Sequence, residues 1–233
     1  MYLEERFTKR PALNAVLASS TSNNTAAIIA NRDWEAIGTN ATTALCTYSA
    51  GGGITLTTAG AILDSEIVTP HLDTNQSAWA GTKWGTQRSP SFGCILCTDA
   101  TISGAGLTRT IYAGLKLANG DTTATDANQA YWMFKTGVAG GNWQLITSNA
   151  GTDTVTDSGV TAAVSTQYKL EIKINANQVV TGYINGRPVG STATTVANNI
   201  DLIPYIGIKL NSTLAVAFHV RRAWISMDYA LTE

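Results

Sequence analysis

The alternation of apolar and polar residues, interrupted by turn residues, is the feature that most limits how this chain can fold. From Tyr168 to Ile174 every second residue is apolar, and the residues between are Lys, Glu and Lys. A period of two is typical of an antiparallel strand with one buried and one solvated face. Asn185-Gly186 follows the return strand, and both residues accept the positive φ angles of a tight turn. The segment therefore predicts a β-hairpin.

Similar short runs recur from residue 26 onward at intervals of roughly 8 to 15 residues, which is typical of a β-sandwich or barrel. No segment with the period of a helix follows that point. The last run changes phase at Arg221-Arg222, which predicts a β-bulge. We therefore expect an all-β, antiparallel β-sandwich. Besides the hairpin, whose third strand begins at Arg187, the predicted strands are 44–48, 54–57, 78–84, 91–97, 110–117, 130–134, 143–148, 205–210 and 214–227.

The chain is poor in charge. Only 13% of its 233 residues are charged and the net charge is −1, whereas about 25% is typical. Nucleic-acid binding through phosphates needs a basic excess, so we expect no nucleic-acid partner. No apolar stretch approaches the roughly 18 residues of a membrane span, so we expect no membrane partner. Thr, Ser, Asn and Gly fill the polar positions. This composition suits either packing in a protein assembly or a Thr-rich solvent face.

The first 25 residues differ from the rest. The first ten carry five charges, Pro11 interrupts any helix, and a run of Ser, Thr and Asn follows at 19–25. This pattern predicts an N-terminal arm over residues 1–25, joined to one domain over 26–233. Such arms order on binding a partner. Three cationic and three apolar side chains are its candidate contacts: Tyr2, Leu3, Arg6, Phe7, Lys9 and Arg10.

Cysteine and histidine do not predict a metal site. Cys94 and Cys97 lie three apart in a predicted strand, so their side chains point to opposite faces. No second pair completes a tetrahedral site, and the chain has only two histidines. Clustered Asp residues such as Asp153 and Asp157 are typical of turns. We therefore expect no metal and no cofactor.

The order of several motifs carries a resemblance to a known family. They are W-x-G-x-K-W at 79–84, P-S-F-G at 90–93, I-Y-A-G-L-K-L at 111–117, A-Y-W-M-F at 130–134 and G-Y-I-N-G-R-P-V at 182–189. Over roughly residues 31–228 the chain resembles concanavalin A-like (lectin/glucanase, laminin-G-like) jelly-roll domains of tailed-bacteriophage structural proteins. The resemblance implies a jelly-roll sandwich.

The resemblance also implies a function. Phage proteins that look like this are usually capsid decoration, or cement, proteins or parts of tail and head fibres. Our leading hypothesis is a decoration protein, which binds the outside of the major capsid protein shell and stabilises the head. On this hypothesis the protein belongs to the virion, is assembled in the host cytoplasm, forms a homo-oligomer with a trimer favoured, and binds the capsid through its arm. The alternative is a glycan- or receptor-binding domain of a phage fibre or tail.

The alternative needs an aromatic surface for a sugar. Trp79, Trp84 and Trp143 have Gly neighbours that suggest open strand ends, so they are the candidate glycan platform. The competing interpretation is that these Trp side chains fill the sandwich core or an oligomer interface.

Catalysis is not expected. Glucanases that resemble this fold place two or three carboxylates on one strand, where acid and nucleophile lie about 5–5.5 Å apart. Asp64 and Glu66 have the right spacing, but a turn-like break follows Asp64, so we expect the pair in a solvated loop. No other strand carries such a pair. The sequence therefore predicts no catalytic residues and a protein that is not an enzyme.

Overall fold

The computed structural model describes residues 2–8, 12–13, 34–41, 44–70, 84–101, 108–116, 126–191 and 196–228. Two short 3-10 helices, Thr86–Arg88 and Ala139–Gly141, interrupt a chain of strands. None of the helices in these ranges is long and apolar enough to cross a membrane. The strands are β1 (Tyr2–Glu5), β2 (Ala12–Leu13), β3 (Trp34–Ile37), β4 (Cys46–Tyr48), β5 (Ile54–Thr57), β6 (Ser65–Pro70), β7 (Trp84–Gly85), β8 (Ser91–Thr98), β9 (Arg109–Lys116), β10 (Gln129–Lys135), β11 (Asn142–Asn149), β12 (Thr152–Thr161), β13 (Gln167–Ile174), β14 (Val180–Ile184), β15 (Arg187–Ser191), β16 (Asp201–Leu210) and β17 (Ala217–Ser226).

The strands form two sheets packed face to face. The eight-stranded sheet has the order β15-β14-β13-β8-β17-β5-β4, with β1 also paired to β17. The nine-stranded sheet has the order β12-β11-β10-β9-β16-β6-β3-β2, with β7 also paired to β16. All pairs are antiparallel except β2 with β3. The predicted antiparallel β-sandwich is confirmed.

The core lies between the two sheets and is filled by the inward residues of both. Trp132 of β10 spans the gap, because its indole Nε1 donates a hydrogen bond to the backbone oxygen of Glu171 in β13, 3.0 Å away. Its ring lies against Gly182 of β14, where a Cβ atom would come within 2.4 Å of the indole. The absence of a side chain at Gly182 therefore lets the two sheets approach around this tryptophan.

The predicted hairpin is confirmed. Tyr168, Leu170, Ile172 and Ile174 of β13 are buried in the core, and β13 pairs with β14 in antiparallel register. The turn that follows β14 has positive φ angles, 52° at Asn185 and 81° at Gly186. β15 ends the sheet order, as expected for a strand that contains proline.

The predicted bulge in the last strand is also confirmed. The register between β17 and β8 shifts between Val220 and Arg222. Val220 and Ala223 then both face the core, although an unbroken strand would place them on opposite sides. The start of this strand differs from the prediction: β17 begins at Ala217, and Leu214 is exposed in the preceding loop.

β1, β2, β3, β6 and β12 were not predicted, and β6 and β12 lack the expected alternation of apolar and polar residues. β12 is built from Thr, Asp, Ser, Val and Gly, and its Asp153 and Asp157 belong to a strand rather than to turns. As an edge strand of its sheet, β12 has little apolar surface to bury. In β6, Ser65 to Thr69 are buried on both faces, so no polar face marks the strand. The predicted strand 78–84 lies outside the described residues except for Trp84.

The N-terminal residues correct the predicted arm. β1 pairs with β17 from Tyr2 opposite Ser226 to Glu5 opposite Ala223. β5 pairs only with the first half of β17, so β1 supplies the missing neighbour of the second half. β2 then pairs with β3 in the other sheet. Between them Phe7 is buried and meets the ring of Trp34 edge-on, with ring centroids 5.5 Å apart. Residues 2–8 are therefore part of the sandwich rather than a free arm.

The other candidate arm contacts face the domain only in part, since Tyr2 is 54% exposed and the Arg6 side chain is 71% exposed. Leu3 packs against the core. Glu4 accepts hydrogen bonds from Tyr2, Arg6 and Arg222, the last at 2.7 Å. These bonds, those of Tyr2 and Arg6 foremost, lower the pKa of Glu4 to about 2. Lys9, Arg10 and the predicted boundary at residue 25 lie outside the described residues.

Replacing Phe7 with Ala tests whether the N-terminal segment holds the sheets together. We expect the free energy of unfolding to fall by about 3–5 kcal/mol, because a buried aromatic ring and its contact with Trp34 are lost. Urea unfolding measures this. The control is Tyr48→Ala, since Tyr48 is 63% exposed and should change the stability by less than about 0.5 kcal/mol. Equal stability of Phe7→Ala and wild type would mean that residues 2–8 are a dispensable arm.

Candidate functional site

The outer face of the nine-stranded sheet carries a buried cluster of polar aromatic residues. Tyr131 of β10 lies between Tyr112 of β9 and Tyr205 of β16, with ring centroids 6.0 and 6.3 Å away. All three belong to a cluster separate from the core between the sheets. The Nζ of Lys116 lies 4.8 Å from the ring centroid of Tyr205, and Lys116 is fully buried. We call Tyr112, Tyr131, Tyr205, Lys116 and Gln129 the tyrosine cluster.

Strand register explains how these residues meet. Lys116, Gln129, Ser148 and Asp153 lie opposite one another on β9, β10, β11 and β12, so their side chains share one face. The Nε2 of Gln129 donates to the Oγ of Ser148 over 3.1 Å, and Ser148 donates to Asp153. Gly114 leaves room beside Tyr131, because a Cβ there would approach the Tyr131 Cβ to 2.5 Å. A polar row therefore crosses four strands next to the tyrosines.

Burial keeps the phenols protonated. It is the main cause that raises the pKa of Tyr131 and of Tyr205 far above the usual value, and the charges of Asp153 and Asp126 raise the pKa of Tyr131 further. Within the described ranges, the Oη of Tyr205 and the Oε1 of Gln129 are buried without a hydrogen-bond partner. Buried polar groups normally have partners, so these two atoms mark a place where a polar ligand would be favoured.

The cluster offers hydrogen bonding rather than acid–base chemistry. Asp153 and Asp157 share the outer face of β12, but four residues along a strand separate them by about 13 Å. Asp153 accepts a bond from Ser148, and Asp157 accepts one from Asn142 at 3.0 Å. Among the residues described, no group of three His, Cys, Asp or Glu side chains is placed to hold a metal ion.

Asp64 and Glu66 are not in a solvated loop, which corrects the prediction. Both are buried. Asp64 accepts hydrogen bonds from the backbone nitrogen of Ala61 at 2.6 Å and from the side chain of Asn40. Glu66 lies opposite Ile208 and so faces the core, where both carboxyl oxygens lack a partner in the described part of the chain. Burial raises the pKa of Glu66 to about 8. Glu66 is a neutral core residue at pH 7.

The two residues of the candidate glycan platform that the structure describes are not at the surface. Trp84 and Trp143 are buried, and the ring of Trp143 lies 5.9 Å from Phe134 and 5.4 Å from Tyr168. Trp79 lies outside the described residues. Trp84 and Trp143 therefore fill the core, as the competing interpretation held.

A tryptophan that the sequence did not single out lies on the outer face of the eight-stranded sheet. The ring of Trp224 covers Gly93, where a Cβ would approach the indole to 2.2 Å. Lys169 and Arg222 flank it, with the Nζ and the Cζ 5.4 and 5.1 Å from the ring centroid. The signal was available in the sequence, since Trp224 follows the bulge on an alternating strand.

Two loops at one end of the sandwich expose apolar side chains. Ile62 and Leu63 of loop 58–64 are 61% and 53% exposed, and Leu214 of loop 211–216 is 53% exposed. A hydrogen bond from the Thr58 nitrogen to the Val216 oxygen, 2.9 Å long, joins the two loops. Both loops are described throughout, and their single charged residue, Asp64, is buried. We call Ile62, Leu63 and Leu214 the apolar rim.

Comparison with known proteins identifies the fold. No family model and no curated protein matches the chain in sequence. A solved protein of unknown function from Shewanella oneidensis MR-1 matches with a TM-score of 0.64 at 11% identity, over 100% of this chain and 88% of that one. A Bacillus licheniformis β-glucanase matches with 0.59 at 10% identity, over 97% of both. The Emp46p carbohydrate recognition domain matches with 0.59 at 7% identity, over 85% of this chain and 90% of that one.

The protein has a concanavalin A-like jelly-roll fold. Identities of 7–11% establish the fold and nothing finer. The matched proteins include a β-glucanase and a carbohydrate recognition domain, so the fold by itself does not decide whether this chain is catalytic. Function in such a fold depends on the surfaces that the individual chain presents.

The buried Glu66 predicts a pH-dependent stability. Between pH 4.5 and 8 the unfolded chain has lost the Glu66 proton while the folded chain keeps it, so rising pH favours unfolding. We expect the contribution of Glu66 to stability to fall by on the order of 3 kcal/mol from pH 5 to pH 8. Glu66→Gln should remove this loss and be more stable than wild type at pH 8. Urea unfolding at both pH values measures the effect.

The matched control is Glu171→Gln. Glu171 lies on a strand of the other sheet and its side chain is partly solvated. Its Oε2 forms a salt bridge with the Nζ of Lys169, 2.9 Å away. This variant should keep the pH dependence of wild type. If Glu66→Gln keeps it too, Glu66 is ionised in the folded protein and the assignment is wrong.

Proposed function

We propose that the protein is a non-enzymatic decoration protein of a bacteriophage capsid, which binds the outer surface of the major capsid protein shell. The apolar rim carries this proposal. Exposed Ile and Leu side chains on loops without an exposed charge have the composition of an interface core. The low charge of the whole chain and its resemblance to phage structural proteins support the same conclusion.

The rim is held in one conformation before any partner binds. Leu63 has a φ of 74°, unfavourable for a branched residue, and its nitrogen donates to the Leu210 oxygen at 3.0 Å. The buried Asp64 carboxylate also fixes the loop, because it accepts a hydrogen bond from the Ala61 nitrogen. A surface that is already ordered loses little conformational entropy on docking, which favours affinity. This rim replaces the N-terminal arm as the proposed contact with the capsid.

A homotrimer fits this role. Each rim is small, and three rims presented together to a symmetric shell would bind far more tightly than one, because the second and third contacts are intramolecular. The proposal places the protein in the virion, on the capsid surface, after assembly in the host cytoplasm. Its partner is the major capsid protein, and neither nucleic acid nor membrane takes part.

The test is binding to capsids of the phage that encodes the chain. Ile62→Asp with Leu63→Asp should reduce co-sedimentation with purified capsids at least tenfold, because two charges are buried at the contact. The matched control is Val155→Asp with Val164→Asp, two exposed valines outside the apolar rim, of which Val155 lies on the edge strand β12. Quantitative mass spectrometry of virions should find hundreds of copies per particle. Absence from virions, or equal binding by both double variants, would contradict the proposal.

A second candidate is a glycan-binding domain of a phage fibre or tail, and the tyrosine cluster favours it. The unpartnered hydroxyl of Tyr205 and the amide oxygen of Gln129 lie on one face with buried Lys116. Phenols, an amide and an ammonium together match the hydroxyl groups of a sugar. A sugar would reach them only after a local opening of the structure, because Tyr205, Lys116 and Gln129 are each 0% exposed. The Emp46p domain, which shares the fold, is a carbohydrate recognition domain.

Tyr205→Phe separates this role from a structural one. The hydroxyl has no partner among the described residues, so its removal should leave the stability of the protein unchanged or slightly higher. Binding to a glycan found by array screening should weaken about fivefold to tenfold. Tyr183→Phe, on the other sheet, is the control and should bind normally. If no glycan binds the wild-type protein, this second candidate is wrong.

A further inference from the structure

A cavity of about 510 Å³ lies at one end of the eight-stranded sheet, beside the turn that joins β4 to β5. The N-terminal segment closes one side of it and the bulge of β17 closes another. It lies on the opposite sheet from the tyrosine cluster, and neither the capsid proposal nor the glycan candidate uses it. The lining residues are Arg6, Phe7, Thr8, Tyr48, Ser49, Gly51, Gly52, Gly53 and Arg221.

The lining is cationic. It contains two arginines and, among the residues described, no acid. Arg221 is fixed in place because its Nη1 donates to the Gly51 oxygen over 2.5 Å. Its Nε is buried without a hydrogen-bond partner in the described ranges. Arg6 is exposed and is oriented by Glu4, whose Oε1 accepts from the Arg6 Nε at 2.6 Å. Two guanidinium groups therefore line the cavity.

The turn between β4 and β5 forms one wall of the cavity. Gly52 and Gly53 have φ angles of 88° and 79°, which only glycine adopts without strain. Gly51 leaves space for the guanidinium of Arg221, since a Cβ there would lie 2.7 Å from its Nη2. Tyr48, at the end of β4, is 63% exposed and lines the same cavity. The site thus combines an exposed aromatic face with fixed cations.

A smaller cavity of about 280 Å³ continues from the first and shares Ser49, Gly51 and Arg221 with it. His219 lines this part, with its Nδ1 2.8 Å from the Oγ1 of Thr55. Asp99 is its acidic residue, and the Asp99 Oδ1 accepts from the Ala100 nitrogen at 2.7 Å. The continuation gives the ligand room for more than a single small ion.

We propose that this cavity binds an acidic sugar unit, one that carries a carboxylate or a sulfate group. A guanidinium group binds carboxylate and sulfate oxygens strongly, and two of them, from Arg6 and Arg221, line this cavity. The exposed ring of Tyr48 supplies the apolar face on which a sugar ring stacks. This inference goes beyond the proposed capsid role and stands or falls independently of it.

The experiment is an amide NMR titration of the full-length protein with three probes at constant ionic strength. Sodium glucuronate carries both the ring and the anion, sodium sulfate carries the anion alone, and methyl glucoside carries the ring alone. Glucuronate should shift the amide signals of Gly51, Gly52 and Gly53 and bind more tightly than either other probe. Tyr48→Ala should weaken glucuronate binding and leave sulfate binding unchanged.

Arg221→Gln should weaken glucuronate binding about tenfold, the effect expected for a lost charge-assisted hydrogen bond. Arg187→Gln is the control, because it removes the same charge from the exposed far edge of the same sheet and should bind as wild type does. Thermal unfolding without ligand checks that each variant folds. Three results would each overturn the proposal: glucuronate no tighter than methyl glucoside, full binding by a folded Arg221→Gln, or tight binding of sulfate without glucuronate.

Discussion

The contact of Trp132 with the opposite sheet is the interaction on which the rest of the sandwich depends. Its indole fills the space between the sheets, and its Nε1 reaches the backbone of β13 at Glu171. This bond fixes β10 against β13, and Gly182 provides the space that the ring needs. Because β10 is also the strand that carries Tyr131 and Gln129 on its other face, the position of Trp132 sets the position of the tyrosine cluster.

Residue alternation predicted the fold where one face of a strand is buried and the other is not. The segments of β13, β14 and β17 satisfy this condition, and both the hairpin and the bulge followed from it. β12 does not, because an edge strand of Thr and Asp buries little apolar surface and so resembles a series of turns. β6 was not predicted for the opposite reason. Both of its faces are buried, so its sequence shows no alternation of apolar and polar residues, and Glu66 was expected in a loop.

The candidate site was less predictable than the fold. Lys116, Gln129, Ser148 and Asp153 are adjacent only through the register of four strands, which no local pattern encodes. The burial of Trp84 and Trp143 also depends on contacts between residues distant in the sequence. Nearby glycines suggested that both rings are exposed, whereas long-range packing buries them. The apolar rim was also missed, because Leu214 alternates in phase with the strand that follows and was assigned to it.

The pairing of β1 with β17 joins residues more than 200 positions apart, as the bond between Glu4 and Arg222 shows. β1 leaves the ribosome more than 200 residues ahead of β17. β1 must therefore wait without its β17 partner until the intervening chain has been synthesised. Closing so long a loop slows folding, and an unpaired apolar segment such as Leu3 with Phe7 favours association with other chains meanwhile. The interval between the synthesis of β1 and that of β17 is thus a period in which the chain is prone to aggregate, and the separation of the two strands in the sequence sets its length.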